Sequence, residues 1–211
     1  MKDLLICVAD ADAEAFLRSM LVRNQALGIR AVTFDIMRHP QRDAGMVQTG
    51  AELARMHKGK YSKLLMLWDF HGSGRERRQS VRELEAEIGE KLDAFTWSGN
   101  HAISVMVPEL EQWLWFCEPA LASYSGLSSV ELQAWVEGVA TKSRRTVESW
   151  QQENPKELFE QLMRDRLKRT ISPRDFERIG ERASVRQLEG CGSFKVIVDA
   201  LRVWFASAPT E

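Results

Sequence analysis

Lys63-Leu64-Leu65-Met66-Leu67-Trp68-Asp69-Phe70-His71-Gly72-Ser73-Gly74 is the stretch on which the fold turns. Lys63–Trp68 is almost continuously apolar and too short for a helix, the pattern of a strand covered on both faces. It stops at an acid, and a glycine-rich turn follows. Strand-like runs recur on either side, with helical periodicity between them. Leu4–Ala9 reads as a first strand. Ala13–Leu27 reads as an amphipathic helix, with Phe16, Leu17, Met20 and Leu21 on one stripe and Gly28 as its stop. Ala31–Met37 reads as a second strand, 39–45 as a loop and Met46–Met56 as a helix. Beyond the glycine turn, Ser80–Phe95 reads as a polar helix and Ala102–Val107 as a fourth strand. Pro108 is then placed to open a helix over Glu109–Phe116.

Strands alternating with helices imply right-handed βαβ units and a mostly parallel sheet. The expected fold class is therefore α/β, with about four strands flanked by helices. Beyond Glu118 the strand signal ends. Ser128-x-x-Glu131 is a capping-box pattern opening a helix over 130–139, and Asn154-Pro155 and Ser172-Pro173 each pair an N-cap with proline at the first helical position. A last helix, about 193–205, carries Phe194, Ile197, Val198, Leu201 and Phe205 on one stripe. The expected organisation is an α/β domain over 1–118 and an all-helical C-terminal region over 119–211 packed on it. The polar stretches 141–145 and 151–154 read as connections. Trp113 and Trp115 point to opposite sides of one helix, placing one in the core and the other toward the helical region.

Composition narrows the class. The chain has 211 residues, with 29 Lys and Arg against 30 Asp and Glu, 44% hydrophobic and 28% charged. A chain of this length buries roughly 70% of its unfolded surface and needs no disulfide or structural metal. A formal net charge of −1 argues against a protein that coats nucleic acid generally. Apolar runs such as Leu4–Ala9 and Leu64–Trp68 fall far short of the ~20 residues that span a bilayer. Cys7, Cys117 and Cys191 are odd in number, widely spaced and form no CxxC pair. That pattern fits a reducing cytoplasm and offers no zinc signature. The expectation is a soluble cytoplasmic protein.

Open parallel sheets bind ligands outside the carboxyl ends of their strands, and here those ends carry acids. Asp10, Asp12 and Glu14 follow the first strand, Asp69 the third, and Glu109 and Glu111 the fourth. Such hard oxygen donors suit Mg²⁺ or Mn²⁺. Without a cation, crowded carboxylates raise one another's pKa. Each acid also has a plainer reading. Asp10 or Asp12 can cap the first helix, Glu14 can complement its dipole, and Glu109 and Glu111 occupy the first turn after Pro108. Asp69 is harder to dismiss, because it ends a buried strand and no helix begins for some ten residues.

Other features carry less. Gly72-Ser73-Gly74 is not a dinucleotide-binding fingerprint, and there is no Walker A lysine motif. His71, beside Asp69, is a candidate ligand or general base; a loop histidine is more often neither. Arg75, Arg77 and Arg78 follow the Asp69 loop and are candidates to hold a phosphate backbone. Residues 164–186 hold eight positive and four negative side chains, equally the makeup of a solvated helix face.

Three segments together resemble a known family: 8–14 (Val-Ala-Asp-Ala-Asp-Ala-Glu), Asp69 before its glycine loop, and Pro108-Glu109-Leu110-Glu111-x-Trp113. They are similar to the TOPRIM-like domain of small bacterial proteins in defence loci, above all the TOPRIM-like component of the methylation-associated phage-defence system. The likeness extends to 26–30 (Ala-Leu-Gly-Ile-Arg), to the His-Pro-x-x-Asp-x-Gly loop at 39–45 and to Trp204-Phe205. It implies a divalent-metal site, Mg²⁺ or Mn²⁺, serving strand cleavage or nucleotidyl transfer. The resemblance implies Asp10, or else Asp12, in the role of the first acid and Asp69 as the first of an Asp-x-Asp pair. This chain departs from the family in having Asp rather than Glu as first acid and His71 as the second member of the pair.

Two expectations follow. In one, Asp10, Asp69, Glu109 and Glu111 hold one or two divalent ions in a nuclease or phosphoryl-transfer subunit of a phage-defence system, with Asp12 and His71 as further ligands and Arg75, Arg77 and Arg78 placing nucleic acid. In the other, the protein is a catalytically inactive recognition or scaffold subunit among other defence-system proteins.

Overall fold

The computed structural model describes residues 1–207, so residues 208–211 of the expected helical region lie outside it. Four strands, β1 (Lys2–Val8), β2 (Phe34–Arg38), β3 (Tyr61–Asp69) and β4 (His101–Met106), form one all-parallel sheet in the order β2-β1-β3-β4. The helices joining them are α1 (Ala11–Leu21), α2 (Asn24–Leu27), α3 (Arg42–Arg55) and α4 (Val81–Leu92), the last followed by a π-helical turn at Asp93–Trp97. The α/β expectation is met.

Alternation along the strands builds two cores. Leu4, Ile6, Val8, Leu65 and Leu67 face one layer, and Leu5, Cys7, Leu64, Met66 and Trp68 the other, all fully buried. Burying each such side chain is worth about 1.5–3 kcal/mol, so the short apolar runs suffice to hold a two-sided sheet. The second layer is made by α3 and α4. The first holds α1 together with the helical region: α5 (Glu111–Phe116), α6 (Glu118–Tyr124), α7 (Ser129–Ser143), α8 (Val147–Glu153), α9 (Pro155–Leu167), α10 (Pro173–Gly180), α11 (Val185–Leu188) and α12 (Gly192–Trp204). One apolar cluster runs through all of it. α10 lies so close on α1 that a Cβ at Gly180 would sit 2.2 Å from Ser19 Oγ and 3.3 Å from Phe16 O. Among the described residues no helix is long and apolar enough to cross a membrane.

Several local expectations need correction. The first helix breaks in two after Leu21, because Arg23 leaves helical geometry and donates to the carbonyls of Gly180 and Ala183 at 2.7 and 2.8 Å. Helix α3 begins at Arg42, inside the expected loop. The Val107–Pro108 peptide is cis and α5 starts only at Glu111, so Pro108 does not open the helix. Residues 141–143 close α7 and 151–153 close α8, where loops were expected. The capping box at Ser128 and the proline starts of α9 and α10 stand as read. Trp113 and Trp115 also divide as expected. Trp113 is packed between Phe16 and Phe194, while Trp115 Nε1 donates 3.0 Å to Pro155 O at the start of α9.

The helical region has its own polar anchor. Asp175, wholly buried, accepts bonds from Tyr124 Oη, the Arg169 guanidinium and Ser172 N. Burial alone would raise its pKa, but the bonds from Arg169, Tyr124 and Ser172 outweigh it and the net direction is down. A depressed carboxyl pKa contributes stability that is complete above the unfolded value, about 4, and is lost as pH falls through the folded value. Asp175→Asn should therefore cost about 2–3 kcal/mol at pH 7, less than a fully buried pair because Arg169 reaches solvent. Urea denaturation across pH 7 to 2.5 should show the gap between variant and wild type closing below about pH 4. A gap independent of pH would assign the loss to packing instead.

Candidate functional site

From β1 the chain moves to β2 on one side, whereas β3 lies on the other. The loops leaving β1 and β3 therefore diverge, to α1 on one face and toward α4 on the opposite face. This is the topological switch point of the sheet, the place at the carboxyl ends where open parallel sheets bind ligands in a crevice. Asp10 follows β1, Asp69 ends β3, and Glu109 and Glu111 follow β4.

Asp69 is the centre of the arrangement. Its amide donates 2.9 Å to Asp43 Oδ1 in the first turn of α3, and its own Oδ1 accepts from Leu110 N at 2.8 Å. The next two amides, Phe70 and His71, donate to Met106 O and Pro108 O at 2.8 and 3.1 Å. Those bonds hold the 107–110 loop against the end of β3 and carry Glu109 and Glu111 to the crevice. Burial, reinforced by the charges of Asp43, Glu111, Asp10 and Glu109, holds the Asp69 carboxyl well above its ordinary pKa.

Asp10 takes the plainer of the readings made for it, a helix cap. Its Oδ1 caps α1, accepting from Asp12 N and Ala13 N at 3.1 and 3.0 Å, which leaves Oδ2 without a donor among the described residues. Burial and the charge of Asp10 push Asp12 up to about 6. Glu111 is only 3% exposed and accepts no hydrogen bond from another described residue; burial pushes it up to about 8, with Lys156 pulling the other way. Glu109 presents Oε1 to His71 Nδ1 at 3.2 Å, while its buried Oε2 has no hydrogen-bond partner and lies 4.0 Å from Lys156 Nζ. Glu14 is turned to Arg18 and Arg38 at 2.9 and 3.1 Å.

The arginines expected to serve this edge sit elsewhere. Arg75 bonds Gln79 at 3.3 Å and faces Glu87 of α4 at 4.0 Å, and Arg77 and Arg78 are exposed on the turn before α4. The cations that act on the carboxylates are Lys156, on α9, and Arg42, at the start of α3. Lys156 was not singled out from the sequence, and Asp43 was noted only as the acid of the His-Pro-x-x-Asp-x-Gly loop, with no role at the site. The available signal for Lys156 was its place as second residue of a helix, where a cation opposes the helix dipole. Among the described residues, no group of three or more His, Cys, Asp or Glu side chains is arranged to hold a metal ion. The chain matches no protein-family model, no curated protein and no solved structure.

The turn that leads into α3 and Asp43 explains its own sequence. His39 Nδ1 accepts from Gln41 N at 3.1 Å and its Nε2 pairs with Thr49 Oγ1 at 3.0 Å, so the ring is fixed from both sides. A Cβ at position 45 would lie 2.0 Å from Nδ1 and 2.7 Å from Gln41 Cβ, so only glycine fits. Gly45→Ala should lower stability by about 1–3 kcal/mol through overpacking. His39→Ala in the same chain should recover much of that loss. Thermal unfolding of the two single variants and the double variant checks this; strictly additive losses would show that the ring is not the obstacle.

Proposed function

We propose that the crevice is a divalent-metal site for phosphoryl chemistry, with Asp10, Asp69, Glu109 and Glu111 as the acids that serve it. The observation carrying this reading is Glu109 Oε2, a buried oxygen without a hydrogen-bond partner, next to Glu111, which is almost wholly buried and bonded only by its own amide, among acids delivered from three strand ends. Unpaired buried carboxylates are costly, and a hard cation is the partner that would satisfy them. The donors fit Mg²⁺ or Mn²⁺ in kind, being carboxylate oxygens, with His71 a ligand suited to Mn²⁺. A bound ion would neutralise charge on a phosphate and lower the pKa of water at the site. The protein's own part is to hold the acids in register through Asp69, and to keep the Asp10 cap and the α5 start from drifting apart.

The TOPRIM-like resemblance extends this reading to a nuclease or nucleotidyl-transfer subunit of a bacterial phage-defence system, with nucleic acid as substrate. A second reading is a catalytically inactive recognition or scaffold subunit bound to other defence proteins. It is favoured by His71, which pairs with Glu109, and by the lack of a ready three-ligand group. That reading predicts co-purification with partner proteins and no metal response by the chain alone.

Thermal unfolding of wild type and Asp69→Asn, in EDTA and in Mn²⁺ or Mg²⁺, separates the two. A carboxyl whose folded pKa is raised destabilises the fold at neutral pH. Asp69→Asn should therefore unfold at a higher temperature than wild type in EDTA. Metal should raise the wild-type midpoint and leave that of the variant in place. A wild-type midpoint unmoved by millimolar metal would discard the metal reading.

A further inference from the structure

We infer that a groove lined by Arg18, Arg38, Arg42 and Arg174 takes the phosphate backbone of a single nucleic-acid strand and leads it to Asp10 at the carboxyl edge of the sheet. The inference shares the phosphate chemistry of the reading above but needs no metal, so each can fail alone.

The groove is two hollows that meet. One, of about 560 Å³, lies between the start of α1 and the end of β2 and is walled by Asp10, Glu14, Arg38, His39 and Arg42. The other, of about 360 Å³, lies between α1 and α10 and is walled by Glu14, Arg18, Arg38, Arg174 and Glu177. Ala11, Glu14 and Arg38 are common to both. Glu14 is spent on its neighbours, pairing with Arg18 at 2.9 Å and with Arg38 at 3.1 Å. It holds two guanidinium groups at one carboxylate, each with N–H groups left over for a ligand.

Arg42 and Arg174 are the informative pair. Both are exposed, and neither side chain bonds or pairs with another described residue. Each sits where the fold disfavours it. Arg42 opens α3 and Arg174 is the second residue of α10, so both cations oppose a helix dipole. Arg42 also takes φ +51°, a left-handed backbone that strains a non-glycine residue. No contact within the described fold offsets either placement, yet both arginines line the groove.

The lining also decides which part of a ligand is held. The one aromatic ring among the lining residues is His39, whose two nitrogens are already engaged by Gln41 and Thr49. Bases find no stacking platform there, whereas guanidinium forks match phosphate oxygens. A mononucleotide is held by enclosing it among apolar and aromatic side chains, and this groove is open and mostly polar. The remaining acids are Asp10, which caps α1, and Glu177. With a net charge of −1 on the whole chain, the attraction is local and suits a few phosphates of one strand.

The test is fluorescence anisotropy of a labelled oligo(dT) of about twelve nucleotides, titrated with protein in EDTA at about 50 and 200 mM salt. Wild type should bind at the lower salt and weaken more than about tenfold at the higher. Arg42→Gln and Arg174→Gln should each weaken binding at least about fivefold and lower the salt slope by about 0.7. Lys142→Gln with Arg186→Gln removes two exposed, unpaired charges outside the groove and should stay within about twofold of wild type. Both groove variants should unfold at or above the wild-type temperature, because each removes a cation from a helix start. A lowered midpoint would make these arginines structural and overturn the inference. Losses no larger than those of the control pair would overturn it too, as would no binding by wild type at the lower salt. ATP competing as well as the strand would also overturn it, assigning the groove to a single nucleotide.

Discussion

The candidate site depends on the two bonds made by a single residue, Asp69. Through its amide it fastens the first turn of α3, and through its carboxylate it fastens the loop that follows β4. Three chain segments far apart in sequence meet at that point, and each brings an acid: Asp43, Asp69 itself, and Glu109 with Glu111. Like charges so placed repel. Hydrogen bonds to charged groups, worth about 1.5–3 kcal/mol each, are what hold the segments against that repulsion. The β3–β4 ladder ends at the Asp69–Met106 pair, and the amides of Phe70 and His71 carry the backbone pairing two residues further, so the loop after β4 is held by backbone and side chain together.

The helical region is part of the same construction. Its apolar residues share a cluster with the first face of the sheet, and it reaches the crevice through the start of α9. Trp113 and Trp115 divide the labour of α5. One turns into the core between Phe16 and Phe194, and the other holds α9 by its first carbonyl. Indole rings suit this role because they combine a large apolar body with one donor. The short helix that begins at Glu111 is thus fixed on both sides, and the carboxylate has little freedom to seek solvent.

Much of this was legible in the residues. A buried parallel strand reads as an unbroken apolar run, so β1 and β3 could be found, and with them the acids that end them. Asp69 stood out because nothing local explained it. The weaker strand β2 was placed three residues early, since Ala31 and Val32 are apolar but precede the pairing that starts at Phe34. The part of Asp43 at the site, and Lys156 altogether, were hidden for a different reason. Each is an ordinary first-turn residue of its helix, and only packing against the sheet brings it to the crevice. The glycine at 45 is similar: its need arises from the ring of His39, six positions earlier, after the chain has turned back on itself.

The cost of the crevice argues for its use. Burial pushes the pKa of Glu111 up to about 8, and Asp69 is displaced in the same direction, so both acids are held against their charged form. A chain under selection for stability alone would do as well or better with an amide or an apolar side chain at these positions, because isolated buried acids give nothing back to the fold. Asp175 makes the contrast. It is buried as deeply, but three donors surround it and its pKa falls. The molecule therefore surrounds a buried acid with donors where the purpose is structural, and at the sheet's switch point leaves Glu111 with its own amide alone and one buried oxygen of Glu109 with no partner. That difference in treatment supports reading the crevice as a place kept for a ligand.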